Sequence, residues 1–302
     1  MKNDRVRGPG TGSLGQGTLF DNDHTAEESP ERSISGVKVR DVNCRSALNR
    51  TKIPGFDYCM NPYGGCTHGC VYCYASFMCR FSGHEEKWGE YLDVKANFPS
   101  ILARQLERSR TTPSGRVLLG TVTDAYQPAE SRYRLTRSSL EILAGHPRME
   151  VHVLTKSALV RRDIPVLRKL KGCEVGFTIT TLDEGIARIM EPGASSPLLR
   201  IETAEELMKE GIPVWVFVAP LLPGLTDRKD SVLELLAALG EKGIRHVGFD
   251  PLNPYPAVIE RLRGTYRRHF PDQLVILEEF IKQPRNLRRE TAKHFRRMTA
   301  GR

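Results

Sequence analysis

Three cysteines lie close together in this chain, at Cys66, Cys70 and Cys73, with the spacing C-x3-C-x2-C. Thiolates are the preferred ligands of iron–sulfur clusters, zinc and Cu(I), so the spacing predicts a metal centre. Three protein ligands occupy three irons of a cubane cluster and leave the fourth iron without one. Such an open iron is suited to binding a substrate or a cofactor.

A zinc ion is the alternative occupant of this motif. Structural zinc sites are normally closed by four ligands, and Cys59, His68 or Cys79 could supply the fourth. Glycines at three positions around the first two cysteines favour tight turns that bring the backbone close to a bulky inorganic group. They are Gly64, Gly65 and Gly69. We therefore prefer the iron–sulfur cluster and keep zinc as an alternative.

Short β-rich segments alternate with amphipathic helical patterns over most of the chain. Most of the six predicted strands are continuous apolar runs, as in sheets covered on both faces. They lie at 56–60, 116–121, 150–155, 174–180, 213–219 and 246–250. Helices are predicted at 136–144, where Thr136 would be the N-cap, and at 197–210 and 229–240. Repeated strand–helix units indicate right-handed βαβ crossovers, so we predict an α/β fold with an incomplete (β/α)6 TIM-type barrel.

Polar residues follow the predicted strands, at the positions where each strand ends. In a parallel barrel the loops after the strands carry the reactive groups. The three cysteines follow the first strand, and the later strands are followed by Thr121, Thr123, Asp124, Thr155, Lys156, Ser157, Thr180, Thr181, Asp250 and Asn253. The sequence therefore predicts one site at this rim of the sheet.

The cysteine motif resembles that of the radical SAM superfamily, which has an aromatic residue before the third cysteine, here Tyr72. The flanking Asn61-Pro62-Tyr63 and Tyr74-Ala75 make it similar to the branch related to spore photoproduct lyase. Further matching segments follow in the same order: residues 120–128 (GTVTDAYQP), residues 154–157 (LTKS), Glu191-Pro192 and Ala219-Pro220. The resemblance extends from about residue 38 to about residue 275.

This resemblance implies a [4Fe-4S] cluster held by the three cysteines, with S-adenosylmethionine (SAM) chelating the open iron. One electron from the reduced cluster would cleave the sulfonium, and the 5′-deoxyadenosyl radical would abstract hydrogen from a substrate. The cofactor supplies the radical chemistry, and the protein orients and shields it. A low-potential electron donor of the flavodoxin or ferredoxin type is the implied partner.

Further residues are candidates for binding SAM. Tyr72 would pack near the adenine or the cluster. Thr123 and Asp124 would accept hydrogen bonds from the SAM ammonium, because a carboxylate is the natural partner of a cation. The alternative for Tyr72 is a packing role in the core, and for Asp124 a helix cap or a turn.

The later conserved segments contribute four more candidates. Lys156 and Ser157 would hold the SAM carboxylate or ribose. Glu191 and Arg200 would contact the ribose and the carboxylate, respectively. The alternatives are an exposed lysine and a surface ion pair between Glu191 and Arg200.

Hydrogen-atom donors are a separate class of candidates. Spore photoproduct lyase uses a cysteine near the start of the second conserved block, and residues 120–124 of this chain contain none. This departure weighs against thymine-dimer repair. Cys59 and Cys79 lie near the site in sequence and are candidate donors, and Tyr126 is a candidate relay. Packing in the core is the alternative for each.

Composition also predicts the domain organisation and the cellular compartment. Residues 1–36 predict a disordered leader, residues 37–275 the barrel domain, and residues 276–302 a basic helical tail, while the stretch 37–56 is expected to be irregular. No apolar run is long enough to span a membrane, and the N-terminus lacks a hydrophobic signal core. Clustered free cysteines favour a reducing compartment, so we expect a cytoplasmic protein.

The charge distribution bears on the substrate. Residues 261–302 carry twelve Arg or Lys and four acidic residues, which is +8 of the net charge of +9. Such a segment attracts phosphate backbones, although a solvated helix is the alternative. The leading hypothesis is a radical SAM enzyme acting on DNA or RNA. A peptide, protein or small-molecule substrate is the second, and a zinc-stabilised nucleic-acid-binding module without catalysis is the third.

Overall fold

The computed structural model describes residues 24–25, 32–34, 36–108 and 113–284. Its strands are β1 His24–Thr25, β2 Arg32–Ile34, β3 Val37–Cys44, β4 Asn49–Arg50, β5 Tyr58–Met60, β6 Tyr63–Gly64, β7 Tyr91–Lys95, β8 Gly115–Leu119, β9 Met149–Thr155, β10 Cys173–Thr178, β11 Val214–Leu221 and β12 Val247–Pro251. Its α-helices are α1 Cys79–Ser82, α2 Phe98–Glu107, α3 Glu130–Tyr133, α4 Leu135–Ala144, α5 Ile164–Leu167, α6 Glu184–Met190, α7 Pro197–Lys209, α8 Lys229–Glu241, α9 Pro256–His269 and α10 Leu274–Lys282. Three short 3-10 helices span Tyr74–Met78, Ala158–Asp163 and Pro271–Gln273.

The larger sheet has the strand order β12-β11-β10-β9-β8-β5-β4. The six strands from β5 to β12 in this sheet are parallel and lie in chain order, whereas β4 is antiparallel to β5. Each of the six predicted strands is present within three residues of its expected ends. In the described residues the edge strands β4 and β12 do not pair with each other. The predicted mixed α/β class with a parallel sheet is confirmed, and the six-unit barrel remains a prediction.

The helices that follow the parallel strands cover the sheet through apolar faces. In α8 the predicted stripe of Val232, Leu235, Leu236 and Leu239 is fully buried in the main core, because residues at i, i+3, i+4 and i+7 share one face of a helix. Helices α4 and α7 also lie at their predicted positions. Together with the buried strand side chains, these faces form one core that holds the strand ends in place.

One predicted helix cap is wrong. Thr136 lies inside α4, and its hydroxyl donates to the carbonyl of Ala125 at 2.6 Å. The carboxylate of Glu130 instead accepts from the backbone N–H groups of Thr136 and Arg137 at 3.0 and 3.1 Å. Glu130 takes this role because an acidic side chain satisfies the free N–H groups and the positive dipole at a helix start.

A second, smaller sheet is formed by strands that precede β8 in the chain. It has the order β1-β3-β7-β6, with β2 paired to β3. The expectation of an irregular segment at 37–56 is therefore wrong for β3, which pairs in parallel with β7. Two short strands, β1 and β2, fall in the predicted leader, and α10 opens the predicted tail. Apart from Gly36, the rest of the leader lies outside the described residues, as do residues 285–302. No helix in the part described is long and apolar enough to cross a bilayer.

Candidate functional site

The three cysteines lie in a loop of residues 65–73, here called the cysteine loop, between β6 and the 3-10 helix that begins at Tyr74. Cys66 and Cys70 are buried and Cys73 is partly buried, and all three thiols are free. Burial raises the pKa of Cys70, and the neighbouring thiols raise it further. Burial and the charge of Cys66 likewise raise the pKa of Cys73 to about 11. The three side chains are therefore electrostatic neighbours, and a cationic centre would be needed to hold them as thiolates.

The loop is shaped by glycines and by tight turns. Gly65 and Gly69 have φ angles of 75° and 60°, a region that L-residues with a side chain rarely adopt. A Cβ atom at Gly65 would also lie 2.7 Å from the carbonyl oxygen of Tyr91. Backbone bonds from Gly69 to Cys66 and from Cys73 to Cys70 close two turns. The glycines thus allow the chain to fold back and present its thiols together.

The segment after β8 fastens the cysteine loop from one side. The side-chain oxygen of Gln127 accepts from the N–H and the hydroxyl of Thr67 at 2.9 and 3.1 Å. The hydroxyl of Thr123 donates to the carbonyl of Gly65 at 2.6 Å and accepts from the Gln127 amide at 3.0 Å. The donor and one of the two acceptor lone pairs of Thr123 are therefore used inside the protein. The predicted contact of Thr123 with SAM stays a prediction.

Asp124 links the loops after β8 and β9. Its Oδ1 accepts from the Tyr126 N–H at 2.8 Å and the Thr155 hydroxyl at 2.7 Å, and its Oδ2 accepts from the Lys156 N–H at 2.8 Å. The ring of His68 lies 3.4 Å from Oδ2. Burial alone would raise the pKa of Asp124, but His68 and these hydrogen bonds lower it to about 2. The carboxylate is therefore charged and joins three segments of the site.

A buried network joins the cysteine loop to the segment after α6. The hydroxyl of Tyr72 and the guanidinium of Arg200 both donate to the carboxylate of Glu191. Arg200 also donates to the carbonyls of Ser195 and Thr178, each at 2.8 Å. Burial would raise the pKa of Glu191, but Arg200 and Lys156 hold it below its usual range. The pair predicted as either a SAM contact or a surface ion pair is thus a fully buried ion pair.

Lys156 is a cation that faces Cys70 and Cys73. It is partly exposed, and its ammonium lies 5.6 Å from the centre of the Tyr72 ring. Burial lowers its pKa, and the negative charges of Cys70, Glu191 and Cys73 more than reverse that effect. Ser157, predicted beside it as a SAM contact, accepts at its Oγ from the Leu159 N–H at 3.2 Å and caps the 3-10 helix that follows.

The segment after α6 also approaches the cysteine loop through its backbone. The N–H of Gly193 donates to the carbonyl of His68 at 3.0 Å, and the N–H of Val71 donates to the carbonyl of Met190 at 2.9 Å. A Cβ atom at Gly193 would lie 2.4 Å from the carbonyl oxygen of Thr67. The two segments can pack this closely because residue 193 has no side chain.

The three candidate hydrogen donors occupy different surroundings. Cys59 is buried in β5, where burial raises its pKa against the opposing effect of Thr121 and Thr51. Cys79 begins α1 and is partly buried. Tyr126 is fully buried in the main core, and its ring hydroxyl faces Asp163. Their proposed roles stay predictions, and the fold places Tyr126 within the packed interior.

Two residues of the site carried no role in the sequence interpretation. Gln127 anchors the cysteine loop as described above and lies within the block GTVTDAYQP, so its position in the motif was an available signal. Arg261, in α9, donates to the carbonyls of Val71 and Cys73, each at 2.9 Å. No local pattern singles out Arg261 among the many arginines of the C-terminal region, and only the packing of α9 on the loop reveals it.

Comparison with known proteins agrees with this arrangement. The model of the radical SAM superfamily matches residues 60–236. An uncharacterised protein of Methanocaldococcus jannaschii is 35% identical over 193 residues, covering 64% of this chain and 71% of that protein. The radical SAM Nalpha-GlyT isomerase of Pseudomonas phage M6 is 28% identical over 215 residues, covering 68% of this chain but 42% of that protein.

Among solved structures, a mutant spore photoproduct lyase with dinucleoside spore photoproduct aligns with a TM-score of 0.60 at 18% identity. The alignment covers 76% of this chain and 66% of that chain. At this identity the likeness establishes a common fold. The matched superfamily model covers more than half of the residues and includes the whole cysteine loop, so this chain belongs to the radical SAM superfamily and is a radical SAM enzyme.

Proposed function

We propose that Cys66, Cys70 and Cys73 hold a [4Fe-4S] cluster whose fourth iron binds SAM. The superfamily implies SAM and an iron–sulfur cluster, and the three neighbouring thiols are the residue set that fits one. When bound and given one electron by a reductant, the two groups would supply a 5′-deoxyadenosyl radical that takes hydrogen from a substrate. The observation that carries the proposal is the meeting of the three thiols beside Lys156, at the carboxyl end of the parallel sheet.

Membership of the superfamily supports a cluster over a zinc ion, because the superfamily implies an iron–sulfur cluster together with SAM. A structural zinc site is normally closed by four ligands. The cysteine loop supplies three free thiols, which fits a cubane cluster with one open iron.

The surrounding residues would orient SAM and exclude water. Lys156 offers the one partly exposed cation whose charge faces Cys70 in the described site, and it is suited to the SAM carboxylate. Three further residues, Asp124, Glu191 and Arg200, would support the site without contacting SAM. Their polar atoms already bind the backbone of the loops or, for Glu191 and Arg200, each other. They would hold the cysteine loop at a constant distance from the loops after β9 and β10.

The proposal is tested by anaerobic reconstitution with iron and sulfide, followed by SAM and dithionite. We expect brown protein and 5′-deoxyadenosine from the wild type, and neither from Cys70→Ala. Cys173→Ala is the matched control, since Cys173 is also buried but begins β10 at the opposite end of the sheet. Product formation by Cys70→Ala, or a colourless wild type that binds zinc, would overturn the assignment.

We further propose a nucleic acid as the substrate class. The support is the excess of positive charge in residues 261–302 and the common fold with a lyase that binds a dinucleoside photoproduct. Affinity for DNA or RNA should be measurable at low salt, fall steeply with added salt, and weaken when residues 283–302 are removed. Nucleic acid should also raise the yield of 5′-deoxyadenosine. A peptide library that raises it while nucleic acids do not would favour a peptide substrate.

A further inference from the structure

The outer side of the cysteine loop forms the floor of a shallow surface pocket of about 300 Å³. Gly69 and Val71 form this floor, and the remaining lining comes from Trp88 and from residues of α9. Gly69 and Val71 flank Cys70, a proposed cluster ligand, so the floor is formed by the two chain neighbours of that ligand.

Helix α9 is attached directly to this floor. Arg261 is partly buried, and its guanidinium donates to the carbonyls of Val71 and Cys73 at 2.9 Å each. One turn and two turns further along, Thr265 and Arg268 also line the pocket, as expected for residues at i, i+4 and i+7 on one helix face. The helix thus presents one face to the cysteine loop and holds it in place.

The charge of the pocket is positive. Arg261, Arg268 and His269 line it, and in the described part of the chain the lining includes no acidic side chain. Arg268 and His269 are exposed. The segment that supplies Trp88 carries Glu85, Glu86 and Glu90, but Glu86 pairs with Lys38 at 3.1 Å, and none of the three lines the pocket. The face that α9 offers to an approaching molecule is therefore basic.

Radical SAM enzymes need a reductant, and no feature described so far says where it would bind. We propose that this basic face, defined by Arg268 and His269 beside the floor of Gly69 and Val71, docks an acidic low-potential electron-carrier protein. The inference rests on the proposed function, because it assumes a cluster at the three cysteines. The carrier is oxidised by one electron and the cluster is reduced by one, and no bond or proton changes place.

Three physical arguments select this partner. Electron tunnelling slows exponentially with distance, which favours a docking face beside a cluster ligand. Gly69 and Val71, the two chain neighbours of Cys70, both line the pocket. Complexes of redox proteins are small and transient, and complementary charge mainly raises their association rate. An acidic carrier fits both the size and the sign of this face.

The experiment compares two reductants on the reconstituted enzyme. Arg268→Glu combined with His269→Glu should slow 5′-deoxyadenosine formation driven by a reduced acidic flavodoxin about tenfold at low ionic strength, with the difference shrinking as salt is added. The rate with dithionite should be unchanged, because a small reductant does not need the docking face. The control Arg245→Glu changes an exposed arginine before β12, at the opposite end of the sheet, and should leave both rates unchanged.

Each other outcome overturns the docking proposal. Equal flavodoxin rates in wild type and double variant would show that the carrier binds elsewhere. Loss of both rates would place the two residues in the cofactor site. Loss of nucleic-acid affinity with an unchanged flavodoxin rate would assign the face to phosphate backbones. If the wild type makes no 5′-deoxyadenosine even with dithionite, the proposed function itself fails, and that result is distinct from all three.

Discussion

The hydroxyl of Tyr72, between the second and third cysteines, donates a hydrogen bond to the carboxylate of Glu191, 119 residues later in the chain. Both side chains are buried, and Arg200 binds the other carboxylate oxygen. A buried carboxylate is stable only when it is paired and hydrogen-bonded, so Glu191 holds both partners in defined positions. The aromatic residue before the third cysteine is thereby a structural tie between the cysteine loop and the segment after α6.

Replacing Tyr72 by Phe should lower the free energy of unfolding by about 2 kcal/mol, since a hydrogen bond to a buried charged group is lost. Urea denaturation would measure it. Tyr133→Phe is the matched control, because the Tyr133 hydroxyl has no partner among the described residues, and it should cost less than about 0.5 kcal/mol. Equal losses in the two variants would show that the Tyr72 hydroxyl contributes nothing.

The charge of Asp124 should make stability depend on pH in the acid range. Burial alone would raise the pKa of Asp124, but His68 and the hydrogen bonds lower it to about 2 from its usual 3.8. Because the folded pKa is the lower one, the contribution is present above about pH 4 and is lost as the pH falls towards 2. It amounts to about 2 kcal/mol.

The variant Asp124→Asn isolates this contribution. The gap in unfolding free energy between wild type and variant should be largest at neutral pH and about 2 kcal/mol smaller at pH 2. Urea denaturation at pH 7, 4 and 2 would follow it. A gap that stays constant over this range would mean that the carboxylate charge is not what stabilises the junction between the loops after β8 and β9.

Adding a methyl group at Gly193 should displace the cysteine loop. The new Cβ would lie 2.4 Å from the Thr67 carbonyl oxygen and 2.8 Å from the His68 Cα, so backbone must move. Gly193→Ala should lower stability by about 1–3 kcal/mol and reduce the iron retained after reconstitution. Gly240→Ala, in α8 with nothing within 4 Å, should instead stabilise the protein by up to about 1 kcal/mol. Full iron content in Gly193→Ala would contradict the tight approach.

Lys156 should act in binding SAM rather than in the chemical step. Lys156→Met is expected to raise the KM for SAM about tenfold, the effect of losing one charge-assisted hydrogen bond, with a smaller effect on kcat. The measurement is 5′-deoxyadenosine formation at varied SAM, with iron content checked. Lys209→Met, on the exposed end of α7, is the control. An unchanged KM would remove Lys156 from the cofactor site.

Much of the fold was predictable because its signals are local. The apolar runs of the six parallel strands and the stripe of α8 follow from the period of buried residues, and the structure places them within a few residues of the expected ends. The strand β3 was missed, because it pairs with β7 across about 50 residues and its buried residues, Val39, Val42 and Cys44, do not alternate along the strand. The cap of α4 was missed because the free N–H groups at the start of this helix are bound by the carboxylate of Glu130, six residues before Thr136.

The amino-acid sequence alone determined the kind of metal-binding chemistry. The type and spacing of Cys66, Cys70 and Cys73 identify a thiolate centre without any knowledge of contacts. It could not say which polar residues face that centre and which are used up inside the protein. Only the tertiary structure decided that Glu191 and Arg200 neutralise each other in the interior and that Lys156 stays partly exposed beside the thiols. It also brought Arg261 onto the cysteine loop from 190 residues away. Burial and pairing set the role of a charged group, and both depend on neighbours that are remote in the chain.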